Sequence, residues 1–319
     1  AFSPPQNTKG STSSTTLPKE LHIIALPEAV PVKPSQAEKN NSTPPPAERP
    51  TSRPVVDDTF AAQLAAGKQG LNNKQLDKAV KYLRRAVELD PQNATGLQWL
   101  VTALQTAERY NETIPLFQKL IRLKPDDVTA RYNLAMAFAR QGKLYLAEEM
   151  YRKLLDIDPD HVESRTNLAT IYQHRAELHA ARNQWRKVIE LQPKNFKAYE
   201  GLGEVLTDLG KHAEAMEAFG KAAALQPKVA SAWLNYAASA TTAGSAGLAL
   251  TALDRALKLA PYDAEAWSMR GDILLEMYRK TDNQNNARQA VQAWKKSLSL
   301  DPNQPDVKAK LQTYKRFDQ

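Results

Sequence analysis

The chain has 319 residues, 42% of them hydrophobic and 24% charged, which is typical of a folded protein with a polar surface. It contains no cysteine, and this excludes disulfides, thiolate metal sites, cysteine nucleophiles and covalently attached haem. The formal net charge of +8 arises entirely from residues 60–319, but no dense Lys/Arg cluster with interleaved aromatic residues appears, so a solvated helical surface is favoured over a nucleic-acid surface.

Residues 1–58 are rich in proline, serine, threonine and asparagine, and they predict an extended or disordered arm. No apolar run reaches the ~18 residues that a membrane span needs. The segment LHIIALPEAVPV (21–32) is nevertheless apolar. It is either a chance patch in a linker or a short segment that docks on a partner or on the protein's own groove. The docking side chains would be Leu21, Ile23, Ile24, Leu26 and Val30.

A proline that ends an apolar helical pattern recurs along the rest of the chain. The first six of these prolines are each 34 residues apart, and the seventh follows after 41. Such spacing indicates an internal repeat, and a period of 34 with two helices per unit is a known repeat signature. The prolines are Pro91, Pro125, Pro159, Pro193, Pro227, Pro261 and Pro302.

The unit 128–161 predicts two helices that are joined at Gly142 and ended by Pro159. Each predicted helix has small and large apolar residues spaced to lie on one face. These residues are Leu134, Ala135 and Phe138 in the first helix, and Ala147, Tyr151 and Leu154 in the second.

This pattern resembles the tetratricopeptide repeat family over residues 60 to about 304. The family's small residue in the first helix falls at Gly67, Ala135, Ala169, Gly203, Ala237 and Gly271. Its alanine in the second helix falls at Ala79, Ala147, Ala181, Ala215, Ala249 and Ala290. Its large residue four positions later falls at Leu83, Phe117, Tyr151, Trp185, Phe219, Leu253 and Trp294.

The resemblance implies an all-α fold, a right-handed superhelical solenoid of helix–turn–helix repeats that follows the extended arm. We expect the arm over 1–58, seven repeats over 59–304 and a C-terminal capping helix over 305–319. The second repeat departs from the pattern at Val101 and Thr113, so looser packing is expected there. Seven extra residues in the seventh repeat, near 278–290, should lengthen its helices.

No residue pattern in the chain indicates catalysis. The five histidines lack metal-ligand spacing, and a glycine-rich phosphate loop and a Gly-x-Ser-x-Gly elbow are absent. Carboxylate pairs such as Glu148 and Glu149 are expected on a solvated face. We therefore expect a protein that is not an enzyme and that needs no cofactor or metal.

The family implies a concave groove whose inner wall is formed by the first helix of each repeat. Asparagine at one matching position in three repeats resembles the asparagine ladder of some members, since an amide can both donate to and accept from a peptide backbone. The alternative is that asparagine is merely a polar residue that these positions tolerate. The candidates are Gln98, Trp99, Thr102, Tyr132, Asn133, Met136, Arg140, Asn167, Thr170, His174 and Asn235.

The charge of this wall changes sign along the chain, from basic in early repeats to acidic in later ones. The basic positions are Lys68 and Arg140. The acidic positions are Glu200, Glu204, Asp208, Glu265, Asp272 and Glu276.

The favoured function is a non-catalytic scaffold or assembly adaptor that binds an extended segment of a protein partner, or a multi-subunit complex. The arm, the absence of cysteine and a first residue other than Met resemble exported bacterial repeat proteins of the cell envelope. An exported, periplasmic location and a removed leader or anchor are therefore expectations, with the cytoplasm as the alternative. A small-molecule substrate is not expected.

Three other functions remain open at this stage. The first is that the chain is the targeting or substrate-recognition region of a larger enzyme, such as a glycosyltransferase. RNA binding is disfavoured because the wall is irregular and half acidic. Self-assembly, with residues 21–32 in the groove of another copy or of the same chain, is the third.

Overall fold

The computed structural model describes residues 58–318, and every regular element in that range is a helix. The predicted docking segment 21–32 lies outside these residues. The α-helices are α1 Phe60–Asn72, α2 Leu76–Leu89, α3 Ala94–Thr106, α4 Ile114–Leu123, α5 Val128–Arg140, α6 Leu144–Ile157, α7 Val162–His174, α8 Leu178–Leu191, α9 Phe196–Asp208, α10 His212–Leu225, α11 Ala230–Thr242, α12 Ala246–Leu259, α13 Ala264–Thr281, α14 Gln284–Leu300 and α15 Pro305–Thr313. Two 3₁₀ turns cover Tyr110–Thr113 and Lys315–Phe317.

The helices fall into two compact units, α1–α5 up to residue 143 and α6–α15 from residue 144. In the first unit α1 packs on α2 and α3 packs on α4. In the second unit α7 and α8, α9 and α10, α11 and α12, and α13 and α14 form pairs, and each pair packs on the next. The predicted all-α fold of sequential helix pairs is confirmed.

Polar side chains define where the first helix of a repeat begins. The residue before the helix accepts a hydrogen bond from a backbone N–H of the first turn, which satisfies a donor that the helix leaves unpaired. This occurs at Thr59, Asn93, Asp127, His161, Asn195 and Asp263. Helix α11 is different, because Val229 precedes it, makes no side-chain cap and is 39% exposed.

The periodic prolines also serve as hydrogen-bond acceptors. In four repeats the side chain six residues after the proline donates to the proline carbonyl, and so ties the end of one repeat to the first helix of the next. The Trp233 and Trp267 indoles donate over 3.1 and 3.0 Å, and Arg131 and Arg165 do the same from their guanidinium groups.

The core pairs a small residue of the first helix with a large residue of the second. All six predicted second-helix alanines are at most 1% exposed, and Trp294, Tyr151 and Leu83 are fully buried. A Cβ atom on Gly271 would overlap the Trp294 ring, and one on Gly203 would lie 2.8 Å from the Phe219 ring. The large side chain therefore occupies the space that a methyl group would need.

The two atypical repeats behave as their sequences predict. In the second repeat a 3₁₀ turn replaces the first turn of the second helix, and α3 and α4 pack less extensively than α1 and α2. Both Val101 and Thr113 are buried. In the seventh repeat the extra residues lengthen both helices, to 18 residues in α13 and 17 in α14.

Helix α15 covers the end of the second unit. Its Val307 is 4% exposed, and Tyr314 and Phe317 pack beside Tyr278 of α13. The ring centroids of Tyr278 and Phe317 are 5.1 Å apart in an edge-on arrangement. The apolar surface that the last repeat would otherwise expose is thereby covered by a helix with a polar outer face.

Changing Gly271 to alanine should destabilise the second unit by about 1–3 kcal/mol, because the Trp294 ring must move. The matched control is Gly247→Ala in α12, where nothing lies within 4 Å of the added Cβ. The control should gain up to ~1 kcal/mol from helix propensity. Urea unfolding followed by circular dichroism measures both. Equal effects of the two substitutions would contradict the small-against-large packing.

Candidate functional site

The first helices of the repeats are α1, α3 and α5 in the first unit and α7, α9, α11 and α13 in the second, and each set is called the first-helix layer of its unit. Helix α1 contacts α3 in the first unit, and α7 contacts α9 in the second. All the groove positions expected from the sequence lie on these first helices, on α3 and α5 in the first unit and on α7 and α11 in the second.

On α3 the candidates are half-buried and mostly neutral. The ammonium group of Lys68 on α1 lies 4.9 Å from the centre of the Trp99 ring, an arrangement that favours a cation–π interaction. The Trp99 Nε1 atom is buried and has no hydrogen-bond partner in the described part of the chain. Gln98 is half-buried, and the Thr102 hydroxyl donates to the Gln98 carbonyl over 3.0 Å.

On α5 the candidates are withdrawn from solvent. Tyr132, Asn133 and Met136 are each 2% exposed. Neither the amide nitrogen nor the amide oxygen of Asn133 has a hydrogen-bond partner in the described structure. Arg140, at the end of the helix, is exposed and lies 4.3 Å from the centre of the Tyr110 ring.

The second unit places its asparagines in two different environments. Asn167 on α7 is 8% exposed and donates to the Tyr151 hydroxyl over 2.9 Å, whereas Asn235 on α11 is exposed. Thr170 is half-buried and donates to the Thr166 carbonyl, and His174 is exposed. The three asparagines of the expected ladder thus differ in burial, and their binding of a peptide backbone stays a prediction.

Helix α9, which lies between α7 and α11 in the chain, has no asparagine at the matching position, because Gly201 is found there. A Cβ on Gly201 would overlap the Trp185 indole of α8. The Trp185 Nε1 donates to the Gln173 amide oxygen over 2.7 Å, and the Gln173 nitrogen donates to Glu204 over 3.2 Å. The ladder is interrupted here because a core tryptophan needs the space.

Three carboxylates, Glu200, Glu204 and Asp208, follow one another at intervals of four residues on α9. Glu204 and Asp208 are exposed and Glu200 is half-buried. Burial raises the pKa of the Glu200 carboxyl above its ordinary value, and the nearby Glu204 charge raises it further, with Lys197 opposing. Within residues 58–318 none of the three forms a salt bridge, so the negative charge of this face is not neutralised there.

The expected acidic wall weakens on α13. Asp272 accepts from Lys310 of α15 over 2.7 Å and from the Trp294 indole over 3.1 Å, and Glu276 pairs with Lys280 over 2.6 Å. The sequence showed the acids but not their partners, because Lys310 comes 38 residues after Asp272. Of the acids expected on this wall, those that form no salt bridge with the described residues are Glu200, Glu204 and Asp208 on α9 and Glu265 on α13.

One expectation about a carboxylate is wrong. Glu148 does not lie on a solvated face, since its side chain is only 14% exposed, accepts from the Tyr172 hydroxyl over 3.0 Å and pairs with Arg175. Burial first, and then the hydrogen bond to Glu148, raises the pKa of Tyr172 to about 12. The network binds α6 to α7, and only the fold reveals it because its members lie 24 and 27 residues apart.

Neither a metal-binding cluster nor a helix suited to a membrane is found among residues 58–318. No group of three or more His, Asp or Glu side chains among residues 58–318 is arranged to hold a metal ion. In the same range, no helix combines the length and the hydrophobicity that crossing a membrane requires.

Models of protein families match most of the repeat region. Models described as tetratricopeptide repeat match residues 65–93, 100–162, 166–230 and 208–264. The chain belongs to the tetratricopeptide repeat family. The family's fold is a scaffold for protein–protein interactions, so protein partners are the general function of this repeat chain. A comparison with curated proteins found no match.

Solved structures share the repeat fold. A tetratricopeptide repeat protein from Parabacteroides merdae is 18% identical, with a TM-score of 0.52 and coverage of 80% of this chain and 98% of its own. The C-terminal part of a repeat protein from Cytophaga hutchinsonii is 15% identical, with a TM-score of 0.63 and coverage of 78% and 99%. YrrB, titled a repeat protein with an unusual peptide-binding site, is 20% identical, with a TM-score of 0.51 and coverage of 59% and 97%.

Changing Glu200 to glutamine should stabilise the second unit at neutral pH. The pKa of Glu200 is raised in the folded state, so the folded protein holds the proton of this carboxyl more tightly than the unfolded chain does. The stability that this adds is present at pH below the pKa of the unfolded state, and it is lost as the pH rises through the pKa of the folded state. The gain should therefore shrink on acidification from about pH 7 to about pH 4. Urea unfolding of both proteins at the two pH values measures it, with Glu217→Gln on α10 as the control. A gain that is independent of pH would contradict the assignment.

Proposed function

We propose that this scaffold binds an extended, basic segment of a protein partner along the first-helix layer of its second unit. The observation that carries the proposal is the row of Glu200, Glu204 and Asp208 on α9, whose carboxylates form no salt bridge with the described residues. Lysine or arginine side chains of a partner would neutralise this row. Complementary charge of this kind speeds association and selects the partner.

The flanking helices supply groups that suit a peptide backbone. Asn235 on α11 is exposed, and its amide can donate to a carbonyl and accept from an N–H at the same time. On α7 the Thr170 hydroxyl is used as a donor within its own helix but can still accept, and His174 is exposed. The backbone of the partner would thus be held beside α7 and α11, while α9 selects its side chains.

The charges on α9 contribute only modestly to binding affinity and selectivity. An exposed ion pair contributes about 0.2–1 kcal/mol, so the three carboxylates together account for about tenfold in affinity. The remaining affinity has to come from the backbone contacts and from apolar burial. Acid on α9 also disfavours a nucleic-acid ligand, because a phosphate backbone would be repelled.

Selection of random linear peptides on the immobilised chain tests the proposal. Enriched peptides should carry lysine or arginine, and Glu204→Gln with Asp208→Asn should weaken their binding about fivefold at low salt. The matched control, Glu217→Gln with Asp306→Asn, makes the same change in net charge on exposed residues outside the first-helix layer. Enrichment of peptides without basic residues, or equal weakening by the control, would overturn the proposal.

The same proposal places the scaffold in a complex of a bacterial cell envelope. Its support is the proline-rich sequence of residues 1–58, which suits a tether between a repeat domain and an anchoring point. Fractionation of cells that make the native protein, followed by detection with an antibody against the repeats, measures the location. We expect the protein in the envelope fraction, and recovery with cytoplasmic proteins would contradict this part of the proposal.

A further inference from the structure

A cleft at the C-terminal end of the second unit is open to solvent. It lies between α14 and the chain that runs from α15 into the last 3₁₀ turn, and its volume is about 310 Å³. Helix α14 lines it with Val291 and Leu298, and the opposite side is lined by Lys308, Leu311, Gln312 and Lys315. The cleft is therefore a concave surface that two neighbouring helices form together.

The apolar residues of the cleft lie deeper than the polar ones. Val291 is buried, Leu298 and Leu311 are half-buried, and all three belong to the core of the last repeat or pack against it. The polar residues of the opposite side are exposed, and they are Lys308, Gln312 and Lys315. An apolar floor with a polar edge is the composition of a surface on which another chain can dock.

The preceding repeat shows how such a floor is normally covered. Leu257 of α12 matches Leu298 of α14, since each comes eight residues after the buried alanine of its helix. Leu257 is 8% exposed and shares a core cluster with Ile273 of α13, whereas Leu298 is half-buried. Helix α13 has 18 residues and α15 only 9, so the last repeat is covered less completely than the one before it. A further helix in the cleft would complete the covering, as the next repeat does elsewhere.

The edge of the cleft is positively charged. Lys295 of α14 pairs with Asp318, but Lys308 and Lys315 form no salt bridge with any of residues 58–318. Residues 291–318 include six basic side chains and three acidic ones. Positive charge that is not neutralised, next to an apolar floor, favours an occupant that is both acidic and apolar.

We propose that the cleft between α14 and α15 binds an acidic amphipathic helix of a protein partner. The apolar face of that helix lies on Leu298 and Leu311, and its carboxylates pair with Lys308 and Lys315. An amphipathic helix that lays its apolar face into a hydrophobic groove is a common mode of recognition, and here the groove is provided by the end of the solenoid.

Two other anionic occupants suit the cleft less well. A membrane surface is flat and does not enter a concave cleft, so it would leave the apolar floor uncovered. A single-stranded nucleic acid binds by stacking its bases on aromatic rings. The rings at this end of the unit, Tyr314 and Phe317, pack on the core instead.

This inference goes beyond the proposed function and does not rest on it. The carboxylates of α9 call for a basic segment, whereas the lysines of α15 and the last turn call for an acidic one. The two surfaces lie on different helices and carry opposite charge, so each can be removed by substitutions that leave the other intact.

Binding of defined peptides to the full-length chain tests the inference. The probe is a fluorescein-labelled peptide of about 18 residues, or five helical turns, with leucine along one face and glutamate on both sides of it. We expect a saturable rise in fluorescence anisotropy that weakens as salt is added. A peptide with glutamine in place of glutamate should bind about fivefold more weakly. An acidic peptide of the same composition with its leucines scattered around the helix should bind more weakly still.

Substitution of exposed lysines locates the binding. Lys308→Gln with Lys315→Gln should weaken binding of the acidic peptide about fivefold at low salt. The matched control, Lys221→Gln with Lys258→Gln, removes two exposed lysines of α10 and α12 and should leave binding unchanged. All four side chains are exposed, so neither variant removes a core contact. The α9 variant, Glu204→Gln with Asp208→Asn, should also bind the acidic peptide normally, which separates this test from that of the proposed function.

Photo-crosslinking tests the position directly. Benzoylphenylalanine in place of the exposed Gln312 should link to the peptide, and the same group in place of Thr251 on α12 should not. The inference is overturned if the acidic peptide shows no saturable binding, if the control pair of lysines matters equally, or if only the Thr251 position crosslinks. Crosslinks from Gln312 to a second copy of the chain, or binding of phosphatidylglycerol vesicles in place of the peptide, would assign the cleft to another occupant and overturn it as well.

Discussion

The packing of one large side chain against one small residue, in every repeat but the second, is the interaction on which the rest of the structure depends. Leu83 lies where Gly67 has no side chain, and Trp294 lies where Gly271 has none. Because the two helices can then approach closely, the large side chain is removed from water and the next repeat has a flat surface to pack on. The layer of first helices that carries the candidate site follows from this contact.

Polar groups determine where each helix begins and how one repeat joins the next. Side-chain caps such as Asn93 and Asp263 satisfy the first backbone donors, and Trp233 and Trp267 bond the carbonyls of the prolines that end the preceding repeats. Each interaction contributes only about 1 kcal/mol, but the caps recur in six repeats and the bonds to the proline carbonyls in four. The periodic prolines are therefore both helix terminators and points of attachment.

The repeat leaves the exposed side of the first helices free to vary, and the two units use that freedom differently. The wall of α3 and α5 is neutral apart from Arg140 and becomes more buried along the chain, whereas α9 carries three acids that form no salt bridge with the described residues. Core packing still limits the choice, since Trp185 of α8 excludes any side chain at Gly201. We infer that the second unit receives a basic segment of a partner.

The sequence by itself determined the period, the helix pairs, the buried alanines and the lengthened seventh repeat, because each follows from spacing within about 40 residues. It also predicted wall positions, but not how buried their side chains are or which charges pair with them. Only the tertiary structure decided that Glu148 is buried beside Arg175, that Lys310 neutralises Asp272, and that Asn133 and Asn235 differ in exposure. Burial and charge pairing depend on neighbours from other helices, which a one-dimensional pattern does not identify.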